Sequence, residues 1–197
     1  MICVLLFAGI MGNTHRQCAV RITNKSNNYV LCSPIVYVYS GRCRDALPST
    51  VGPSESGSAL FIKTHDTACG SVGVFTYDLY NESTKRVDKK MAVMFSNPYN
   101  FDFYSNLYAV GLFDRKQLCD HSLYEKMYYN IGTEFVRGGA GSNLIHERDG
   151  LTISANMTDT WVPPGRCELK VSLTDSLHLK FTMFDLLIFN PVFFSLL

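Results

Sequence analysis

The stretch "LYEKMYYN", Leu123 to Asn130, carries three tyrosines, and upstream of it "FSNPYNFDFYSNLY", Phe95 to Tyr108, holds six aromatic rings in fourteen residues with one formal charge, Asp102. Asn-Pro and Ser-Asn pairs interrupt the upstream stretch, so it reads as a loop and not as one regular element. Loops lie at the surface, and rings on a surface mark a place where something lands. Tyrosine suits a site with a wet side and an oily side, because its ring buries well while its hydroxyl still needs a partner. Rings that face one another can hold a quaternary ammonium by cation–π attraction. Ser and Tyr hydroxyls can donate to phosphate oxygens. Phosphocholine, the headgroup of sphingomyelin and phosphatidylcholine, carries both groups. Periodicity alone is equally compatible with an aromatic core cluster.

Other chemistry has no matching pattern. HExxH, P-loop, G-x-S-x-G and GxGxxG contexts are absent. His15, His65, His121, His146 and His178 are scattered, and none stands at ligand spacing from another His or Cys. The seven cysteines contain no CxxC pair, so the common zinc spacings are missing. No enzyme activity, cofactor or metal is expected. The formal charge is +1 and no long Lys/Arg run occurs, which argues against nucleic acid as a partner.

Both aromatic segments need a frame. Segments 19–23, 29–33, 35–40, 59–64, 71–78, 91–96, 108–113, 142–147, 151–157 and 167–173 are rich in β-branched and aromatic residues and read as strands. Pro34 suggests an edge or a bend, and "NEST" at 81–84 a turn. Short strands at close intervals predict a mostly β fold, a β-sandwich of about ten strands flanked by one or two short helices. The clear helix is "SLYEKMYYN". Ser122 followed by Glu125 reads as a capping box. At about 100° per residue, Leu123 and Met127 share a stripe facing the sandwich, Tyr124 and Tyr128 an adjacent one, and Tyr129 points round the other side.

With 197 residues the chain has room for one full domain. Residues 2–11 are apolar but shorter than the roughly 20 residues a span needs. They resemble a signal-peptide core without the preceding positive charge. Sequons occur at Asn24, Asn81 and Asn156. The cysteines read as buried and reduced, or as a partial disulfide set if the chain is secreted. The segment from 175 to 197 is strongly apolar but carries His178, Lys180, Asp185 and Pro191. It reads as a loosely packed extension and not as a span.

"VMFSNPYNFDFYSNLYAVGLF" followed by "LYEKMYYN" resembles the actinoporins, the sea-anemone pore-forming cytolysins, and more closely the actinoporin-like proteins of vertebrates. The similarity runs from about Arg16 to Leu173, through "VRITNKS", "VYSG", "GSVGVFTYD" and "CELKVSL". It implies a domain over 16–174, with 1–15 as a truncated or atypical N-terminal segment. It also implies a secreted protein that binds sphingomyelin or phosphatidylcholine membranes, self-associates there and can form a cation-permeable pore. A non-lytic headgroup-binding or lectin-like module is the alternative. The family's phosphocholine positions correspond to Ser40, Val72, Ser96, Pro98, Tyr104, Tyr124, Tyr128 and Tyr129. Its exposed membrane-interface tryptophans correspond to Phe103 and Leu107, with Tyr108 after them. Arg16 and Arg137 stand where the family has basic or oligomer contacts. The family's Arg-Gly-Asp is Arg137-Gly138-Gly139, and the run before its loop aromatics is Pro98-Tyr99-Asn100 in place of Pro-aromatic-Asp. Its pore-lining amphipathic helix has only fifteen residues before Arg16 to correspond to it.

Overall fold

Side-chain alternation decides most of the architecture. In β1 (Gln17–Asn24), Cys18, Val20 and Ile22 point into the core, and Arg21 and Thr23 point away from it. The computed structural model describes residues 16–101, 103–161 and 164–176. After β1 come β2 (Tyr29–Ser40), β3 (Arg42–Asp45), β4 (Thr50–Val51), β5 (Ser56–Ile62), β6 (Ser71–Asn81), β7 (Arg86–Asn97) and β8 (Leu107–Asp114). Helix α1 (His121–Tyr129) follows, then β9 (Phe135–Gly139), β10 (Asn143–Arg148), β11 (Leu151–Trp161) and β12 (Pro164–Asp175).

The strands form two six-stranded sheets, ordered β10-β11-β12-β1-β5-β3 and β4-β2-β6-β7-β8-β9. Pairing is antiparallel except between β1 and β12. The expected β-sandwich is therefore found. Its interior is apolar from both sides: Val20, Ile22, Leu169 and Val171 from one sheet meet Tyr77, Leu79, Val93 and Val110 from the other. Phe61 of the first sheet lies 4.5 Å from Phe95 and 6.2 Å from Phe75, centroid to centroid.

Strands β6 and β7 are buried almost continuously, because the opposite sheet covers one face and α1 the other. That is why "VGVF" and "MAVMF" read as apolar runs without alternation. Val74, Ala92, Met94, Ala109 and Phe113 meet Leu123 and Met127 of α1. Small side chains at 92 and 109 let the helix lie close to the sheet. The stripe expected for Leu123 and Met127 is the buried one.

Several expectations change in detail. The segments read as 29–33 and 35–40 are one strand, β2, with Ser33 at φ +50° and a register shift between Cys32 and Ile35 around Pro34. The short or Gly-ending strands β3, β4 and β9 were not legible; with them the described residues hold twelve strands, in keeping with the roughly ten expected. The N-cap of α1 is Asp120, whose carboxylate accepts from Leu123 N at 3.0 Å; Ser122 lies inside the first turn. None of the six described cysteines forms a disulfide, and Cys18 and Cys167 are buried. Asn24 is sealed in the core, its amide donating to the Tyr29 and Val51 carbonyls, so that sequon cannot carry a glycan in the folded state. The apolar stretch at 2–11 and the extension beyond 176 lie outside the described residues. No helix among the described residues is long and apolar enough to cross a bilayer.

Candidate functional site

Strand register assembles the floor of the site. Ser40 of β2 pairs with Val72 of β6, Val72 with Ser96 of β7, and Ser96 with Leu107 of β8. Residues in register share a sheet face. Val72 and Leu107 belong to the cluster that packs against α1, so this row lies on the helix side. A bulge between Val38 and Ser40 inserts Tyr39 as an extra residue. Such an insertion puts neighbouring residues on one face and bends the strand.

The helix supplies one wall. Tyr124 is only 4% exposed, with its ring 4.7 Å from that of Tyr39 and 5.5 Å from that of Tyr128. Tyr128 is half-buried and meets Tyr129 edge-on at 4.7 Å. Tyr129 is 66% exposed. Residues 98–101 and 103–106 form the lip. Pro98 is buried, Tyr104 is 58% exposed and Phe103 is 78% exposed. Gly70 lets the preceding loop pass beneath Pro98, since a Cβ there would lie 2.4 Å from the Asn97 carbonyl oxygen. The Gly70 carbonyl in turn accepts from Ser40 Oγ at 3.2 Å.

The Tyr128 hydroxyl joins lip, wall and floor. Ser96, Tyr104, Tyr129 and Arg137 all lie close enough to it to act on its ionisation. Burial raises the Tyr128 pKa, reinforced by Tyr129 and opposed by the nearby Ser96. Burial also pushes the Tyr124 hydroxyl well above the ordinary tyrosine range, with Tyr128, Tyr129, Tyr39 and Tyr37 adding to the effect. Both phenols therefore stay neutral at physiological pH. They present ring faces and O–H groups and no negative charge.

The eight residues expected around a headgroup thus lie together at one end of the second sheet, with Tyr104, Tyr128 and Tyr129 on its open side and Tyr124 behind. Two other expectations are corrected. Tyr108 is not at a membrane interface: it is 0% exposed, points into the sandwich and donates its hydroxyl to the Ser142 and Ala155 carbonyls. Leu107 is half-buried under the helix cluster. Of the three proposed interface residues, Phe103 alone stands out from the surface. It is joined by Tyr99 and Phe101, and by Ile131 just beyond α1, which is 97% exposed.

Arg137 turns inward. Its Nη1 donates to the Met127, Tyr128 and Asn130 carbonyls, satisfying the end of α1 where backbone acceptors lack partners. It fixes the turn that carries Tyr128 and Tyr129 and is not spread on the surface as a basic contact. Arg16 likewise faces the aromatic loop. Tyr37, Tyr39 and His121 were missed by the sequence reading. The Tyr37 hydroxyl lies 3.1 Å from His121 Nδ1, and the Tyr39 ring stacks on His121 at 6.0 Å. The signal that could have found the two tyrosines is their period-two spacing in "VYVYS", which puts both on one face; the bulge, which alternation does not show, brings Ser40 to that face, and His121 has no such signal.

Comparison with known proteins adds an independent line. The chain is 32% identical over 125 residues to DELTA-actitoxin-Aeq1a of Actinia equina, a match covering 61% of this chain and 54% of that protein. It therefore spans about half the length of that relative. DELTA-stichotoxin-Hcr4b of Radianthus crispa is 32% identical over 153 residues, with 76% and 80% covered. Bryoporin of Physcomitrium patens is 26% identical over 162 residues, with 82% and 87% covered. Among solved structures, the lipid binding protein Nakanori superposes with a TM-score of 0.63 at 12% identity, covering 86% of this chain and 75% of that one. At that identity the likeness is one of fold. The family model described as sea anemone cytotoxic protein matches residues 4–171. The chain belongs to that family, the actinoporins.

Proposed function

We propose that this chain is a secreted, membrane-binding, cytolysin-like protein whose primary ligand is the phosphocholine headgroup of sphingomyelin or phosphatidylcholine. The observation that carries the reading is the convergence of Ser96, Tyr104 and Tyr129 on Tyr128, with Tyr124 and Val72 behind them. The trimethylammonium group packs against neutral ring faces. Each such contact contributes roughly 0.5–2 kcal/mol according to how dry it is. The phosphate accepts from the Ser and Tyr hydroxyls, and the Arg137 charge behind Tyr128 favours the anion.

Membrane contact places Phe103 and its neighbours Tyr99 and Phe101 in the interfacial layer. Family membership supports a further step, in which several copies associate on the bilayer and open a cation-permeable pore. The matched cytotoxins carry that argument, since the described residues contain no spanning helix. Catalysis plays no part in this reading.

Sedimentation with vesicles tests the lipid step. Recovery rises with sphingomyelin or phosphatidylcholine and falls on vesicles of phosphatidylethanolamine and phosphatidylglycerol. Equal recovery on both defeats the proposal. Dye release from sphingomyelin vesicles tests the pore step. Binding without release leaves a non-lytic lipid-binding module.

A further inference from the structure

The aromatic loop has a fastening that headgroup recognition does not explain. Arg16 stands just before β1, 83 residues from the loop it touches. Its Nε and Nη2 both donate to the Tyr99 carbonyl, at 3.1 and 2.6 Å. Its guanidinium lies 4.5 Å from the centre of the Phe101 ring and 5.6 Å from that of Tyr99. Lys63, whose backbone N donates to the Arg16 carbonyl, adds its ammonium 5.9 Å from the Tyr99 ring.

A second tie holds the root of the loop. Asn97 is fully buried, and its amide donates to the Gln17 carbonyl at 2.9 Å and the Gly165 carbonyl at 2.7 Å. It thereby pins the end of β7 to the starts of β1 and β12. Gly165 serves both ties. Its φ of +85° suits glycine, and a Cβ there would sit 2.0 Å from Arg16 Nη1. The path of the Arg16 side chain therefore requires glycine at 165.

We propose that Arg16, with Asn97 and Gly165, positions the aromatic loop, and that Arg16 acts on membrane binding through Phe101 and Tyr99 and not by meeting a lipid phosphate. One guanidinium edge, Nε with Nη2, is committed to a protein carbonyl, one face covers a ring, and Nη1 lies against Gly165. Lysine keeps the charge but has no planar fork to bond and stack at once. Phe103 and Tyr104 lie two and three residues beyond Phe101, so a loop released at Arg16 presents them in many orientations. Ordering it on contact then weakens binding.

The inference rests on the lipid reading, and its test separates the two. Arg16→Lys and Arg16→Gln are compared with wild type, with thermal unfolding as a check that each variant folds. In lipid-free protein, amide hydrogen exchange in the 99–106 segment rises by about tenfold or more in both variants, while β6 and β7 amides stay protected. On sphingomyelin and phosphatidylcholine vesicles both variants lose about five- to tenfold in affinity, equally at low and high salt. Adding Phe103→Ser makes the Arg16 effect disappear, as expected if the two act through one loop. Wild-type affinity in Arg16→Lys, with loss confined to Arg16→Gln and to low salt, makes Arg16 a charge contact and overturns the proposal. Unchanged exchange in both variants overturns it too, as does raised exchange with wild-type affinity. If the wild type binds no vesicle, the lipid reading fails, and the exchange experiment still decides whether Arg16 holds the loop.

Discussion

Replacing Tyr128 separates ring chemistry from hydroxyl chemistry at the candidate site. Tyr128 is half-buried, pairs with Tyr124 at 5.5 Å and Tyr129 at 4.7 Å, and has Ser96 near its hydroxyl. Tyr128→Leu keeps an apolar side chain but deletes the π face. If an ammonium rests on that face, the loss is about 1–2 kcal/mol, or roughly five- to thirtyfold in Kd. Tyr128→Phe keeps the ring and deletes the hydroxyl, which costs about 0.5–1.5 kcal/mol if one hydrogen bond is lost. The expected order of vesicle affinity is wild type, then Phe, then Leu. Equilibrium partitioning onto sphingomyelin and phosphatidylcholine vesicles reads it, with free phosphocholine as competitor to tie the effect to the headgroup. Ring pairing also supports the fold by about 0.5–1.5 kcal/mol per pair. A Tm drop of about 2–4 °C per kcal/mol in the Leu variant is therefore expected and must not be read as lost binding. Leu binding as tightly as wild type, or Phe losing as much as Leu, refutes the cation–π reasoning.

Other expectations follow from single observations. Tyr108→Phe removes the hydroxyl's hydrogen bonds to the Ser142 and Ala155 carbonyls, the first of which still accepts from Asn156 Nδ2; it lowers stability by about 0.5–1.5 kcal/mol in urea unfolding while vesicle affinity stays at the wild-type level. Phe103→Ser does the reverse, weakening vesicle binding with no change in Tm, because the ring is 78% exposed. Asp120→Ala removes the N-cap of the tyrosine helix and costs about 0.5–2 kcal/mol, read as a lower Tm. His146 is 7% exposed, its Nε2 has no hydrogen-bond partner, and burial, then Arg148, holds its pKa below the ordinary 6.5. Because the folded state disfavours the charged imidazole, stability is complete above about pH 6.5 and falls as the pH drops from there toward the depressed native pKa. Urea midpoints at pH 7.5 and 5 measure this, and His146→Leu reduces the difference between them.

The sequence by itself determined what each residue type and short period can express. Alternation in "AVRIT" and "LTISANM" gave β1 and β11, apolar runs in "VGVF" and "MAVMF" gave strands covered on both faces, and 3.6-residue spacing set Leu123 and Met127 toward the sheet. The tyrosine-rich segments and the family resemblance named the candidate residues. Tertiary structure decided which rings are available. Of the six in Phe95–Tyr108, Phe95 and Tyr108 end strands and face the core. Phe103 and Tyr104 sit on the loop and stay outside. Local pattern could not separate them, because a ring in a strand end and a ring in a loop look alike until register fixes which face each occupies. The bulge that admits Tyr39, the capping by Arg137 and the Arg16 fastening are likewise tertiary facts. Each joins residues far apart in sequence or depends on a backbone path that side-chain identity does not encode.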